Sequence, residues 1–441
     1  MIKKIVFNLK NLLFRKNSIS FYKQMNYEKN LFGKEREDLI FKKIKNILNK
    51  AYNNSEFYNE KYKSKNFHPD DIKSINDLSL IPSLSKEELR ANADKIICKN
   101  VNKNNLIKSS TGGSTGVPVS VYFDKKTPLE VFGWDLLKSW NLDVSDNAGF
   151  LERYMPKNDF FNKIMWFPTK RARLDCTFTN KEEMFSFYNK CIKIKPKYLE
   201  GYVGAIKEFS SFLIDNKLKL PSVKLIWTTA APLSKSIRSH INKAFNCPVY
   251  DQYGCCEVYW LAAECTNSNG LHYYDLYRHL EIVDDNYNPI SNGKEGNLLI
   301  TDLLNESFPI IRYKNGDVVK KLERTCDCGS NYPLIDQVKG REGDNLIFKD
   351  GSFISSEFMT TIFDDDPELV KEFQIIQKKD YSIMLNYVPQ KNVLNFKKRL
   401  NKILLPINEK LKNNETIIFS KEVKKIPHDR GKIRYIISEI K

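Results

Sequence analysis

Hydrophobic positions near the start of the chain have helical spacing. Between residues 36 and 51, the apolar side chains that share one helical face are Ile40, Ile44, Ile47, Leu48 and Ala51. Residues 56–62 continue the helical region, and residues 81–88 have the composition of a turn followed by a capped helix start. The N-terminal part of the chain is therefore predicted to be helical.

Short apolar segments typical of strands alternate with helical stretches from residue 106 to about residue 340. One example is a strand candidate at 223–228, followed by a predicted helix at 234–245 and a second strand candidate at 249–252. This alternation predicts an α/β fold.

The pattern changes after residues 339–344. Strands are predicted at 373–377 and 381–388, a lysine-rich amphipathic helix at 393–411, and a further strand at 416–419. This β-β-α-β unit of about 100 residues fits a small separate domain. Its boundary is placed at 340–345, where Gly340 and Gly343 permit large backbone changes.

Composition places the protein in the globular class. The chain has 441 residues, of which 41% are hydrophobic and 28% charged, enough for two or three domains.

The net charge of +17 is spread along the chain, as expected for solvated faces, and it also favours anionic substrates or an anionic membrane surface. No basic patch combines with stacking aromatics, so no nucleic-acid partner is expected. Nine scattered cysteines predict a reducing cytosol.

The N-terminal segment 1–16 is basic and amphipathic, and its apolar runs are too short for a signal peptide or a membrane span. The favoured interpretation is a helix packed on its own domain. The alternative is a helix that lies on an anionic membrane. The expected location is the cytoplasm, with the inner face of the membrane as the alternative contact.

Residues 109–118 are the densest cluster of hydroxyl and glycine residues in the chain. A loop between two strands with many N–H and hydroxyl groups suits the wrapping of a polyphosphate. A solvated turn has the same composition, and the Walker pattern is absent because no Gly-Lys-Ser/Thr closes the loop. The candidate phosphate-binding residues are Ser109, Ser110, Thr111, Gly112, Gly113, Ser114, Thr115 and Gly116.

A second candidate segment, 251–257, follows a strand and contains Tyr253, Gly254 and Glu257. It offers an aromatic face and a carboxylate, and a carboxylate beside nucleotide phosphates commonly holds Mg²⁺. A turn with a surface glutamate is the alternative interpretation.

Three later residues could contact a nucleotide. Asp317 follows a strand-like stretch and can accept both ribose hydroxyls, although Asn-Gly-Asp is also an ordinary turn. Arg341 could bind a ribose or phosphate, or pair with a surface acid. Lys432 follows a glycine turn near the C-terminus and could be delivered to a reacting phosphate, or it could be a solvated charge.

A possible metal site consists of Cys265, His272, Cys326 and Cys328. Three sulfur atoms and one imidazole suit a tetrahedral structural zinc ion. The Cys-x-Cys spacing is tighter than the common one, and buried free cysteines are frequent, so both interpretations stay open.

These segments, in this order, resemble the acyl-adenylate-forming superfamily, and within it the phenylacetate–CoA ligase and capsular-polysaccharide (CapK-like) branch. The motifs that carry the resemblance are Ser109–Pro118, Tyr253–Glu257, Tyr313–Asp317, Gly340-Arg341 and Pro427–Lys432. Residues 56–86 and 196–202 are also similar to that branch, so the resemblance runs from about residue 35 to the end.

The resemblance implies a large multi-sheet N-terminal α/β domain at 1–340, a hinge at 341–344 and a small mobile α+β domain at 345–441. It implies ATP-dependent activation of a carboxylic acid to an acyl-AMP with release of pyrophosphate, followed by transfer to an acceptor. A non-catalytic nucleotide-binding protein is the rival from another class. A sequence that lacked Glu257 or Lys432 would indicate such a non-catalytic protein, and both residues are present here.

Site roles also follow from the resemblance. The hydroxyls of the 109–118 loop would hold the outer phosphates, and Glu257 would hold Mg²⁺. Tyr253 would lie near adenine and the acyl group, with Asp317 and Arg341 at the ribose. Lys432 would bridge the carboxylate and the α-phosphate. Some relatives also have Cys and His at similar positions to the possible zinc ligands.

The sequence departs from the superfamily pattern at three places. Val119 replaces the lysine that often closes the phosphate loop, and Gly343 stands where an aspartate is common. Residues 228–233 lack the Gly-Glu pair of many relatives, which puts the usual adenine and acyl contacts there in doubt.

Two kinds of acceptor fit the second step, in which the acyl group is transferred. One is the thiol of CoA, as in an aryl- or acyl-CoA ligase. The other is a carrier or sugar amine in surface polysaccharide assembly, which is the favoured interpretation because the chain fits the CapK-like side. The sequence predicts neither the acid nor the oligomeric state.

Overall fold

The computed structural model describes residues 2–110, 119–153, 164, 166–177, 179–338, 345–354, 356–360, 362–363, 366, 369–390, 393–411, 416–429, 432–433 and 435–440. The chain divides into two compact units. Unit 1 comprises Met1–Ser109, Ser120–Val144 and Tyr250–Gly340. Unit 2 comprises Ser110–Val119, Ser145–Val249 and Arg341–Lys441.

The helices confirm the helical spacing in the sequence. Described α-helices are α1 (Ile2–Phe14), α2 (Lys16–Glu28), α3 (Gly33–Asn54), α4 (Glu56–Ser64), α5 (Lys86–Ala91), α6 (Ala93–Ile96), α7 (Glu130–Ser139), α8 (Lys181–Ile194), α9 (Val203–Asp215), α10 (Lys235–Phe245), α11 (Ser356–Met359) and α12 (Phe396–Leu411). Short 3-10 helices span Pro69–Asp71, Ile75–Leu80 and Lys103–Asn105. All five apolar positions predicted to share a face of α3 are buried. Ser85 and Glu88 form the predicted capping box at the start of α5.

The strands are, in chain order, β1 (Leu106–Ser110), β2 (Ser120–Asp124), β3 (Ala148–Glu152), β4 (Arg171–Asp175), β5 (Tyr198–Tyr202), β6 (Leu225–Thr229), β7 (Val249–Cys255), β8 (Tyr259–Glu264), β9 (Leu271–Tyr273), β10 (Arg278–Val283), β11 (Glu295–Asp302), β12 (Tyr313–Leu322), β13 (Leu334–Ile335), β14 (Leu346–Ile347), β15 (Phe353–Ile354), β16 (Val370–Gln377), β17 (Ile383–Pro389), β18 (Ile418–Glu422), β19 (His428–Asp429), β20 (Lys432–Ile433) and β21 (Ile436–Ser438). The strand candidates at 223–228 and 249–252 correspond to β6 and β7, and the strand expected after the 109–118 loop corresponds to β2.

Unit 1 contains antiparallel strands in the order β10-β11-β12-β13-β9-β8-β7, and a separate pair formed by β1 and β2. Its interior includes the ion pair between Arg278 and Asp302, whose side chains lie 2.7 Å apart and are almost completely buried. The candidate ATP residues Tyr253 and Asp317 lie on β7 and β12, so this sheet positions them.

Unit 2 contains parallel strands in the order β6-β5-β3-β4. Side chains such as Leu151, Leu199 and Ile226 form one core with α8, α9 and α10. In the register of the sheet, Phe150 of β3 lies between Arg173 of β4 and Glu200 of β5.

Among these three side chains, the carboxyl group of Glu200 has an unusual pKa. Burial raises its pKa to about 7, and the nearby charges of Arg171 and Arg173 only partly oppose this effect. Both guanidinium groups also lie over the Phe150 ring, each 4.8 Å from its centroid. This carboxyl group is therefore expected to change its charge near neutral pH.

The C-terminal segment of unit 2 confirms the predicted β-β-α-β order. Strands β16 and β17 are antiparallel, α12 follows, and β18 pairs in parallel with β17. Strand β21, which the sequence pattern did not predict, adds a parallel neighbour to β16. Apolar residues from α12 and all four strands form a second core.

The predicted fold class is confirmed, since an α/β arrangement with large sheets is accompanied by a small α+β sheet at the C-terminus. The boundary at 340–345 remains a proposal, and the hinge residues 341–344 lie outside the described residues. Within unit 2, Phe353 of β15 forms an antiparallel bridge with Thr179, so β15 contacts the 145–249 segment. None of the helices in the described residues has the length and apolar character that a bilayer crossing requires.

Candidate active site

Two of the predicted motifs meet through the side chains of Tyr253 and Asp317. The Tyr253 hydroxyl donates a 2.5 Å hydrogen bond to Oδ2 of Asp317. Asn315 donates from Nδ2 to the same carboxylate oxygen at 2.7 Å and to the Tyr253 hydroxyl at 3.0 Å. An aromatic ring, an amide and a carboxylate are thus held together by three mutual contacts.

Local backbone geometry fixes this cluster. The Asp317 N–H donates to Oδ1 of Asn315 at 3.1 Å, in the stretch of β12 where the register with β11 shifts. Gly316 has a φ of +87°, a conformation that glycine adopts at little cost. Burial raises the pKa of Tyr253 well above its ordinary value, and the charge on Asp317 adds to the effect. Tyr253 is therefore a hydrogen-bond donor at neutral pH.

The same two motifs meet a second time at Glu257. Tyr313, the first residue of β12, donates from its hydroxyl to Oε1 of Glu257 at 2.7 Å, and both side chains are buried. Burial raises the pKa of Tyr313 well above its ordinary value, with a further contribution from the Glu257 charge. The buried carboxylate is therefore held by a tyrosine that stays protonated.

Glu257 has donor chemistry suited to Mg²⁺. This ion is usually bound through one or two carboxylates together with waters and substrate phosphates, and it does not need a cage made only of protein groups. A single oriented carboxylate fits that requirement.

The predicted phosphate loop lies between β1 and β2, the two strands that the sequence pattern predicted, and in the structure these strands pair with each other. Ser109 is half-buried, and its Oγ accepts a 3.3 Å hydrogen bond from the Tyr259 hydroxyl. Ser110 is the last residue of β1. Thr111, Gly112, Gly113, Ser114, Thr115 and Gly116 lie outside the described residues.

Lys432 is the first residue of β20, where it pairs with Asp429 of β19 across an antiparallel register. Residues 430 and 431, where the sequence predicts a glycine turn, lie outside the described residues. Arg341 lies outside the described residues.

The 228–233 segment, which lacks the Gly-Glu pair of many relatives, leaves β6 in unit 2. Ala230 has a φ of +74°, which is a left-handed conformation that residues with a Cβ rarely adopt. The backbone is therefore glycine-like at this position even though the side chain is alanine.

The predicted metal ligands come together in unit 1. The ligand atoms of Cys265, His272, Cys326 and Cys328 all lie within 4.8 Å of one another. The Sγ atoms of Cys265 and Cys326 are 3.5 Å apart, and Sγ of Cys328 is 3.3 Å from Nε2 of His272. No disulfide bond involves any of these three cysteines in the part of the chain that the structure describes.

This cluster passes a test of fit for zinc. In a tetrahedral site with the usual Zn–S and Zn–N lengths, neighbouring ligand atoms are about 3.5–3.8 Å apart, close to the separations seen here. The Nδ1 atom of His272 lies 2.7 Å from the carbonyl oxygen of Tyr332. When Nδ1–H donates to that oxygen, the Nε2 lone pair points toward the sulfur atoms, as in many zinc sites.

Three contributors to the site were not singled out from the sequence: Asn315, Tyr259 and the hydroxyl of Tyr313. The Asn-Gly-Asp turn gave a local signal for Asn315, because asparagine side chains commonly bond to nearby backbone groups. Tyr313 begins the Tyr313–Asp317 motif, but the sequence gave no signal for its contact with Glu257, and Tyr259 gave no signal at all, since each contacts a residue more than fifty positions away in the sequence.

The fold is shared with solved acid–CoA ligases. One solved structure of 2-hydroxyisobutyryl-CoA ligase, with 2-HIB-AMP and CoA in the thioesterification state, has a TM-score of 0.66 and 17% identity, covering 93% of this chain and 91% of that chain. Another, in the postadenylation state, has a TM-score of 0.63 and 16% identity over the same shares. The fold is therefore that of the adenylate-forming acid–CoA ligases.

Proteins of similar sequence give a more specific comparison than the shared fold does. Residues 346–439 match the family described as CapK C-terminal domain. Protein CapK of Staphylococcus aureus is 26% identical over 435 residues, which cover 92% of this chain and 89% of CapK. Phenylacetate-coenzyme A ligase of Aromatoleum evansii is 24% identical over 360 residues, or 78% of this chain and 79% of the ligase. The chain is thus a homologue of CapK and of the phenylacetate–CoA ligases, and the resemblance recognised in its motifs is confirmed.

Proposed function

We propose that the protein is an adenylate-forming ligase that activates a carboxylic acid with ATP as acyl-AMP and then transfers the acyl group to an acceptor. The observation that carries this proposal is the double contact between the Tyr253–Glu257 and Tyr313–Asp317 motifs. Both contacts lie in unit 1 and hold one carboxylate each in a fixed place.

The first step joins two anions. An oxygen of the substrate carboxylate attacks the α-phosphorus of ATP, an O–P bond forms, and the bond to pyrophosphate breaks. Electrostatic stabilisation is the main requirement of such a reaction, because charge builds up at the phosphate in the transition state.

The residues of unit 1 would position the nucleotide. Asp317 would accept hydrogen bonds from the ribose hydroxyls, and Asn315 and Tyr253 would keep its carboxylate oriented. Tyr253 would also offer its ring to adenine and the acyl group. Glu257 would hold Mg²⁺ through a carboxylate oxygen, and the ion, when bound, supplies neutralisation of the phosphate charge.

The remaining roles rest on the resemblance. The 109–116 hydroxyls and N–H groups would bind the outer phosphates, with Arg341 at the ribose. Lys432 would bridge the carboxylate and the α-phosphate. A hinge at 341–344 would let a small domain at 345–441 move Lys432 away for the transfer step, as hinge motions commonly do.

We also propose a structural zinc ion bound by Cys265, His272, Cys326 and Cys328. These residues belong to β9 and to two turns, one after β8 and one between β12 and β13. The ion would therefore join three chain segments of unit 1 and contribute to its stability.

CoA is the acceptor that the ligase relatives support, since their names specify CoA. A carrier or sugar amine in surface polysaccharide assembly is the second candidate, and the CapK homology over 92% of the chain is the observation that favours it.

The experiment incubates the protein with ATP, Mg²⁺ and a panel of aryl, fatty, amino and hydroxy acids, with and without CoA. Acid-dependent release of AMP and pyrophosphate with formation of an acyl-CoA is the expected result. Acid-dependent pyrophosphate release without any thioester would favour the carrier or sugar amine. If no acid supports pyrophosphate release, the adenylation proposal is wrong.

A further inference from the structure

Helix α1 has two apolar faces, and only one of them is packed on the protein. Phe7 and Asn11, four residues apart, are buried. On the opposite side, Ile5, Leu9, Leu12 and Leu13 have the helical spacing of a single face, and all four are strongly exposed. Leu13, for example, is 77% exposed. Phe14 at the helix end is also exposed, but it lies on the side of Phe7, seven residues earlier, and is not part of this second face.

The position of α1 on unit 1 is defined by contacts away from the exposed face. Lys4 forms a 2.6 Å ion pair with Asp143, which follows α7 in the chain. At the other end, Arg15 breaks the helix with a non-helical φ of −131° and ψ of 42° before α2 begins. The packed face, the ion pair and this break together hold α1 with its leucine side turned to solvent.

The charged side chains of the N-terminal segment itself are all basic, and one of them, Lys4, is paired with Asp143. Residues 1–27 contain six basic residues and no acidic residue. The basic residues are Lys3, Lys4, Lys10, Arg15, Lys16 and Lys23. On the helix, Lys3 and Lys10 fall on one flank of the leucine face and Lys4 on the other, because successive residues are rotated by 100°. An apolar stripe with cationic flanks is the pattern of helices that lie in a membrane interface.

We propose that the exposed face of α1, formed by Ile5, Leu9, Leu12 and Leu13, docks on the surface of an anionic phospholipid bilayer. The leucine side chains insert at the level of the acyl-chain boundary, and the lysines meet the lipid phosphates. This inference goes beyond the adenylation reaction and does not depend on it. It assigns to the protein a membrane contact made by an interfacial helix.

Charge favours a bilayer over a second copy of the chain. In a symmetric dimer that buries this face, the same patch of both copies meets itself, so the lysines of the two α1 helices are brought together. Those charges repel each other, whereas anionic headgroups complement them. The bilayer is therefore the occupant that both the apolar and the charged residues fit.

The test is co-sedimentation of the full-length protein with vesicles of phosphatidylcholine, alone or with about one-third phosphatidylglycerol. We expect binding to the anionic vesicles, and loss of most of it when NaCl is raised from about 0.1 M to about 0.5 M. The double variant Leu9→Glu/Leu13→Glu should weaken binding at least tenfold, since it places charge in the inserted face.

Leu80→Glu is the matched control, because Leu80 and Leu9 are both 57% exposed and Leu80 lies outside α1. This variant should bind vesicles as the unmodified protein does. Molar mass is measured in solution for every variant. Absence of binding to anionic vesicles, or equal binding by the double variant, would overturn the proposal. A dimer that the double variant converts to a monomer without any lipid binding would show that a second copy covers the face.

Discussion

The hydroxyl of Tyr313 donates a 2.7 Å hydrogen bond to the buried carboxylate of Glu257. Removal of this hydroxyl leaves a buried carboxylate oxygen without that donor, and such a loss is costly in a buried site. We expect Tyr313→Phe to lower Mg²⁺-dependent pyrophosphate exchange by about tenfold to a hundredfold, as for other residues that orient a metal ligand. Exchange rates measured against Mg²⁺ concentration provide the check.

Tyr274→Phe serves as the control for this variant. Tyr274 is buried, and its hydroxyl has no hydrogen-bond partner in the part of the chain that the structure describes. Its loss should leave exchange within about twofold of the unmodified rate. If Tyr313→Phe behaves like Tyr274→Phe, Tyr313 does not position Glu257 for the reaction.

Lys432→Ala should reduce carboxylate-dependent pyrophosphate exchange by about a hundredfold or more, because one contact to developing charge in the transition state is lost. The resistance of the protein to unfolding should not change, since the residue lies near the C-terminus on a two-residue strand. Lys425→Ala is the control, because Lys425 is an exposed lysine on the same segment. Equal exchange in the two variants would contradict the catalytic assignment of Lys432.

Metal analysis of the purified protein should find about one zinc ion per chain, bound by the four clustered ligands. Cys328→Ser and His272→Ala should each lose this zinc and lower the thermal midpoint, because metal binding contributes to folding. Cys256→Ser should keep it, since Cys256 is exposed and lies outside the cluster. Less than about half an equivalent in the unmodified protein would count against the site.

Glu200 should make stability depend on pH. Its pKa is raised by burial from 4.5 to about 7, so the folded state prefers the protonated form. The cost of ionisation is absent below the unfolded pKa, grows as the pH rises, and is complete above about pH 7. This cost is at most about 3 kcal/mol, and we expect about 1–3 kcal/mol because the side chain keeps partial solvent contact.

Glu200→Gln should therefore stabilise the protein at about pH 8 and have an effect below about 1 kcal/mol at pH 5. Urea denaturation at both pH values measures the difference. Glu182→Gln, on an exposed position of α8, is the control. A stabilisation that is equal at both pH values would mean that the charge on Glu200 is not its source.

Much of the fold could be predicted because its signals are local. The periodic isoleucines of α3, the Ser85–Glu88 cap and the strands flanking the phosphate loop are each set by neighbouring residues. Strand β21 was missed since its three residues gain their place only by pairing with β16. For helix α1, the sequence left a packed helix and a membrane-surface helix as alternatives, and the folded chain was needed to show that its leucine face is exposed.

Some residues of the candidate site could be predicted from sequence motifs, and the others were found only from their contacts in the structure. Glu257 and Asp317 were identified from their motifs, and their partners Tyr313 and Asn315 became visible only in the folded chain. The proposed zinc ligands are the opposite case, because the Cys and His residues that the sequence analysis grouped do come together in the fold. Chemistry that needs rare residue types is easier to predict from sequence than hydrogen bonds that any tyrosine can make.

The most direct test of the central claim is carboxylate-dependent exchange of labelled pyrophosphate into ATP, measured for the unmodified protein, Asp317→Asn and the control Asp336→Asn. We expect exchange that depends on an added acid, a large loss in Asp317→Asn, and little change in Asp336→Asn, whose carboxyl is exposed after β13. No acid-dependent exchange by the unmodified protein across the acid panel, or equal exchange in all three proteins, would contradict adenylation at the Tyr253–Asp317 site.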